Sequence, residues 1–306
     1  MLKMKKILTL VLAAALLFAL PFTTADAAYE GQQRVILGAN LGDSEIDTVY
    51  DMFGLERGDV KELTVTIDEE RSYLSGLVAD SKIGSLSVSC AYIEVLEEGA
   101  GLDVQMENIN WCTEDVYANV LITAGIYDAK VMIASPYPVS GTAALTGIYK
   151  AYEDISGESL DEDAKTVATE ELVITSELAD QIGSVDAAEI VNELKKILDE
   201  TENMTDDQLR AEILAIAENV NVSLTETQIE QLISLVRQLE KLDTNALIDK
   251  VESLQDTIQN MAETAEKASG LFEKVTGFFS KIGDFFSNLF GGSRRDITAN
   301  AVESAI

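Results

Sequence analysis

Any chemistry in this chain has to proceed without histidine. None of its 306 residues is His, which removes Ser-His-Asp and Cys-His nucleophilic sets, His-ligated zinc and the commonest general base near neutrality. Carboxylates remain, with 54 Asp and Glu set against 22 Lys and Arg for a net charge of −32. With so many acids, adjacency as in "DEE" (Asp68 to Glu70) says nothing about catalysis, which needs two carboxyls at a defined separation. That charge also argues against nucleic acid as a partner, because phosphate binding needs clustered Lys and Arg.

Four features have residue types suited to a site. "VSGTAALTG" (Val139 to Gly147) opens a helix with small residues. It reads either as an anion site on free N–H groups or as a Ser140 cap with close helix–sheet packing. With only Lys150 as a nearby base, the structural reading is preferred. "DISGESLDEDA" (Asp154 to Ala164) has oxygen ligands at calcium-like spacing but lacks the order and terminal Glu of an EF-hand loop. It reads as an acidic linker and helix start. Trp111, the chain's single Trp, reads as a packing residue at a strand end. Cys90 and Cys112 could form a disulfide in an oxidising compartment. Their flanks, "SLSVSCAYIEVL" and "GLDVQMENINWC", read as hairpin arms around "EEGAG". In a symmetric register Cys90 faces Asn108, which opposes the bridge. No tight metal or organic cofactor is expected.

The stickiest chemistry is apolar. Six of the nine Phe, Phe272, Phe278, Phe279, Phe285, Phe286 and Phe290, fall between Gly270 and Gly292. They end a run of apolar positions spaced alternately four and three: Leu247, Val251, Leu254, Ile258, Met261, Ala265, Ala268, Phe272, Val275, Phe279, Ile282, Phe286 and Leu289. This is a heptad seam, widened at its end by Leu271, Phe278 and Phe285. Phe272, Phe278, Phe279, Ile282, Phe285, Phe286, Leu289 and Phe290 are therefore the candidate residues for binding a membrane, a partner or a second copy; the alternative is that this face docks on the protein's own domain.

The elements that must carry these features change type along the chain. "RVILGAN" reads as a strand, "EIDTVYDMFG" as a helix capped by Ser44, "KELTVTID" as a strand and "EERSYLSGLV" as a helix. The two arms follow, then a Thr113-capped helix, the strand "AKVMIASPYPV" and the helix "GTAALTGIYKAYEDI". This is α+β, with a mixed sheet and helices on one face. After Ser156 the chain reads as helical. Thr205 with Gln208, and Thr225 with Gln228, are capping boxes, stapled by Met204 to Leu209 and Leu224 to Ile229.

The segments "VILGANL", "ITAGIYDAKVMIASPYPVSGTAALTGIYKAYE" and "EELVITSELADQIG" resemble the secreted bacterial family called domain of unknown function 1002, or YpuA-like. "PVSGTAALTGIYKAYE" is the most specific piece. The resemblance runs to about Leu242 and implies a Gram-positive exported protein; it implies no activity. The chain departs from the family pattern at Asn40, where an acid is expected, and in its two cysteines.

The N-terminus has the order of a signal peptide. Lys3, Lys5 and Lys6 precede an apolar Ile7 to Leu20, Pro21 and the small-residue site Ala25-Asp26-Ala27. Cleavage is expected after Ala27, giving a secreted or envelope-associated protein. The divisions read as 1–27 signal peptide, 28–155 α+β domain, 156–243 helical domain, 244–292 amphipathic heptad helix and 293–306 polar tail. The functional expectation is a non-catalytic binding or assembly protein at the cell envelope; the alternative is a carboxylate-dependent envelope enzyme.

Overall fold

The structure is a computed structural model and describes residues 30–77 and 83–253. Residues 1–27, read above as a signal peptide, and the Phe-rich half of the heptad seam lie outside the described residues. These residues belong to two compact units. One contains the strands and runs to Leu160; the other takes residues 111–125 and continues from Asp161.

The strand unit is a mixed sheet of β1 (Gln33–Gly38), β2 (Lys61–Val65), β3 (Cys90–Val95), β4 (Leu102–Ile109) and β5 (Ala129–Val139), in the order β2-β1-β3-β5-β4. The chain is α+β, as expected. β1 pairs parallel with β2 and antiparallel with β3, and β5 pairs antiparallel with β3 and parallel with β4. The "EEGAG" hairpin is thus not formed: β5 lies between β3 and β4. A parallel β4–β5 pair needs a crossover, and helix α3 (Glu114–Thr123) makes it.

Helices cover both faces of the sheet rather than one. Helix α1 (Asp43–Phe53) buries Val49, Tyr50 and Phe53 with Val35 and Leu37 of β1 and Cys90 and Tyr92 of β3. The alternate residue, Ile36, faces helix α4 (Thr142–Ser156), where Gly147 approaches it. "VILG" is apolar at successive positions because both faces are covered. Helix α2 (Ile67–Leu74) packs on α4. Its N-cap is Thr66, whose hydroxyl accepts from Glu69 N–H. Ser44 is not the cap of α1: Gly42 holds that position, and its N–H donates to the Glu45 carboxylate at 2.8 Å.

The second unit packs α3 against α5 (Glu162–Ile182) and α6 (Ser184–Lys196). The short α7 (Leu198–Thr201), α8 (Asp206–Asn219) and α9 (Glu226–Leu239) complete the named helices. Both capping boxes form, with Thr205 accepting from Gln208 N–H and Thr225 from Gln228 N–H. Thr113 sits at the N-cap of α3 but makes no side-chain cap bond. Residues 244–253 are helical, and the Asp243 carboxylate accepts from Ala246 N–H at 3.1 Å. The first seam positions are buried here, Leu247 to 3% exposure and Val251 to 0%. No helix of the described residues is long and apolar enough to cross a membrane.

Candidate functional site

The small-residue opening of α4 is met by an acid of the chain itself. Gly141 takes the left-handed N-cap conformation, φ 93°, which disfavours a side chain. Thr142 follows as the first helical residue, and its hydroxyl donates to Glu70 Oε1 of α2 at 2.8 Å. Glu70 is buried, and its second oxygen has no hydrogen-bond partner. Burial pushes its carboxyl up to about 7, against the opposing pull of the Thr142 hydroxyl and the Arg71 charge. A carboxyl titrating there is chemically able to accept or release a proton near neutrality. Ser140 is not the N-cap; its hydroxyl lies 3.2 Å from that of Thr142.

The rest of this motif binds α4 to the sheet. A Cβ at Gly147 would stand 2.6 Å from Ile36 Cγ2, so only glycine allows this approach. Lys150 Nζ donates to Thr64 O at 2.7 Å and to Glu69 at 2.7 Å. Asp154 accepts from Arg34 at 2.6 Å and Lys61 at 2.7 Å. Those two cations hold its carboxyl below the usual range. The "GAN" of the first strand is also structural. A Cβ at Gly38 would fall 2.4 Å from Ser87 O, and Asn40 Oδ1 accepts from Ser87 N–H at 2.9 Å. An acid at position 40 could accept the same bond.

The helical unit contains a polar network with no exposed surface. Lys195 of α6 and Glu171 of α5 are each 0% exposed and meet at 2.7 Å. Lys195 also donates to Asn119 O at 2.9 Å, and the Thr123 hydroxyl to the other Glu171 oxygen at 2.6 Å. Burial disfavours both charges, raising the Glu171 carboxyl and lowering the Lys195 ammonium. Elsewhere on α6, Glu189 is pushed up to about 7 by burial first and then by the Glu193 carboxyl, with which it hydrogen-bonds.

The other sequence candidates take structural places. The Phe272–Phe290 group lies outside the described residues. Cys90 and Cys112 are both buried and form no disulfide, the first lying in the strand unit and the second in the helical unit. Burial pushes the Cys90 thiol up to about 12, far from a reactive thiolate. Trp111 is buried and donates to Asp180 at 3.0 Å. In the acidic segment, Asp161 caps α5 by accepting from Ala164 N–H. Among the described residues no three His, Cys, Asp or Glu side chains form a metal-binding group.

Sequence reading missed Glu171 and Lys195, although a signal exists. Each interrupts an apolar stripe: Val167, Glu171, Ile174, Leu178 on α5, and Ala188, Val191, Lys195, Leu198 entering α7. A charge inside such a stripe implies a buried partner.

The residues that organise the sheet unit, Gly38, Asn40, Gly141, Thr142, Gly147 and Lys150, fall in the segments that carried the family resemblance. The family model described as "Protein of unknown function (DUF1002)" matches residues 37–261. "Uncharacterized protein YpuA" of Bacillus subtilis (strain 168) is 40% identical over 245 residues, covering 78% of this chain and 83% of that protein. No solved structure matches. Together, the matched span and this relative place the chain in the DUF1002 family of proteins of unknown function.

Proposed function

We propose that this is an exported protein that acts without catalysis, by binding or assembly at the cell envelope, through its C-terminal segment 244–292. The observation that carries the reading is the apolar seam, whose first two positions, Leu247 and Val251, are buried where it enters the described helix. Downstream, the candidate residues Phe272, Phe278, Phe279, Ile282, Phe285, Phe286, Leu289 and Phe290 continue it. Each such side chain gains about 1.5–3 kcal/mol on leaving water. The polar positions around them, Glu273, Lys274, Lys281 and Asp284, balance in charge. Attachment to lipid would then rest on apolar insertion and respond weakly to salt. Ordered positive, apolar and small-residue regions in residues 1–27 support export.

Liposome co-sedimentation and analytical ultracentrifugation of the full chain and of a chain ending at Ser269 test this. Full-length protein that sediments with vesicles or self-associates, with both properties lost on truncation, is the expected result. A lipid-indifferent monomer whose truncation sharply lowers Tm would place the helix in the protein's own core and end the proposal.

Glu70 favours a second reading, a carboxylate-dependent enzyme on wall polymers, because its buried carboxyl is raised to about 7. Turnover of purified wall polymer by wild type, lost in Glu70→Gln with the fold intact, is the result that would promote it.

A further inference from the structure

Helix α2 is held to the strand unit by little apolar surface. Of its eight residues only Glu70 and Leu74 are buried, each to 1% exposure. They lie four residues apart and so share one face. Helix α4, in contrast, buries ten of its fifteen residues. Further links of α2 are the half-exposed pair of Glu69 with Lys150 at 2.7 Å, the Tyr73 ring edge-on to Tyr149 with centroids 5.9 Å apart, and Arg71 Nη2 donating to Gly84 O at 2.8 Å. An element with so few buried apolar side chains opens before the core beneath it does.

One of the two buried anchors is an acid. Among the described residues its hydrogen-bond donor is the neutral Thr142 hydroxyl, on Oε1, and Oε2 has none. The cations near it are engaged elsewhere. Arg71, next along the same helix, bonds Gly84 O, and Lys150 of α4 gives its ammonium to Glu69 and Thr64 O. A neutral carboxyl fits that place. A carboxylate there, with one hydroxyl partner and no paired cation, does not. Ionisation therefore favours the arrangement in which Glu70 reaches water, and Leu74 is the one buried apolar side chain of α2 that resists it.

We propose that α2 is a pH-released flap of the strand unit, closed on α4 while Glu70 keeps its proton and shifted toward an open state when Glu70 ionises. Opening gives the Thr142 hydroxyl, at the start of α4, to solvent. The closed carboxyl titrates at about 7, against 4.5 for a free one. Closure is thus strongest below about pH 4.5 and weakens as pH rises through about 7. Glu69 cannot supply this dependence. Against the opposing effect of burial, its bonds from Lys150 and Thr66 hold its carboxyl below the usual range, so it stays ionised throughout. Between pH 6 and pH 8 the ratio of open to closed α2 should rise about tenfold.

Hydrogen exchange of the full chain, read by mass spectrometry and corrected for the intrinsic rate at each pH, tests the flap. The α2 amides should open more often than those of β1 at both pH values, with the tenfold rise from pH 6 to pH 8. Glu70→Gln should abolish the rise, and Glu69→Gln should keep it. Leu74→Ala should increase opening at both pH values and leave their ratio unchanged. Circular dichroism checks folding; if Glu70→Gln does not fold, Glu69→Gln decides. Wild-type opening that is equal at the two pH values overturns the proposal. So does a rise that persists in Glu70→Gln or vanishes in Glu69→Gln, since another group then carries it. One opening constant shared by α2 and β1 would mean unfolding of the whole unit, and the flap would be refuted.

Discussion

In the strand unit Asp154 takes a cation on each side, Arg34 and Lys61, and its side chain keeps about a quarter of its surface in water at 27% exposure. In the helical unit Lys195 and Glu171 meet with none. The distances are nearly alike, so geometry does not separate the two arrangements. Solvent does. Water screens the first set, so each pair there adds little beyond fixing how α4 lies on the sheet. The second pays a desolvation penalty for both charges, and only their mutual attraction and the bonds to Asn119 and Thr123 offset it. Surface charge can thus be removed cheaply, whereas buried charge can be removed only in pairs.

The largest effect should come from splitting the buried pair. Lys195→Met leaves Glu171 uncompensated and should cost about 3–5 kcal/mol. The double variant Glu171→Leu with Lys195→Met should recover most of it. Trp111, the single Trp and a member of the helical unit, reports this unit's urea unfolding by fluorescence. A single variant as stable as wild type would mean that the pair is not buried as described.

Next comes Glu70, which carries the desolvation problem into the strand unit. Its folded pKa is raised from 4.5 to about 7, so the folded state holds its proton more tightly than the unfolded chain does. The stability linked to that proton is complete below about pH 4.5 and is lost as pH rises through about 7. Glu70→Gln should therefore be more stable than wild type at pH 8 by up to about 3 kcal/mol, with no gain at pH 4. Hydrogen exchange at the amides of α2 and α4 at the two pH values reads the difference. A gain at low pH instead would reverse the sign and refute the burial argument.

Packing gives an intermediate effect. Gly147→Ala puts a methyl against Ile36 Cγ2 and should cost about 1–3 kcal/mol by overpacking. Calorimetry should then show a lower Tm, partly restored when Ile36→Ala opens space. The smallest effect belongs to the exposed side of the comparison. Asp154→Asn should cost about 1 kcal/mol or less and should cost less still at high salt. A salt-independent loss of several kcal/mol would make the Asp154 set resemble the buried pair and erase the contrast.

Local rules determined much of this molecule from sequence alone. The boxes at Thr205 and Thr225 form because a hydroxyl and an amide three residues apart satisfy each other's backbone partners, whatever lies around them. "KELTVTID" and "EIDTVYDMF" announce their period, and Gly54 ends its helix in the left-handed region at φ 68°. The close approach of helix to sheet at "VSGTAALTG" was legible in its small residues. Which acid would meet that helix was not, because Glu70 lies 72 residues away in sequence.

Tertiary structure alone decided the rest. Alternation says that β3 and β4 are strands, but pairing depends on which edges meet, and β5 enters between them only once α3 has carried the chain across. The same crossover assigns α3 to the helical unit, where its Asn119 and Thr123 complete the Lys195–Glu171 network. Even the charges that break the apolar stripes of α5 and α6 name no partner until the two helices pack. Hydrophobic period and capping act over a few residues, so the sequence states them directly. Strand order and burial of charge are free-energy differences between whole arrangements of the chain, and only the folded arrangement fixes them.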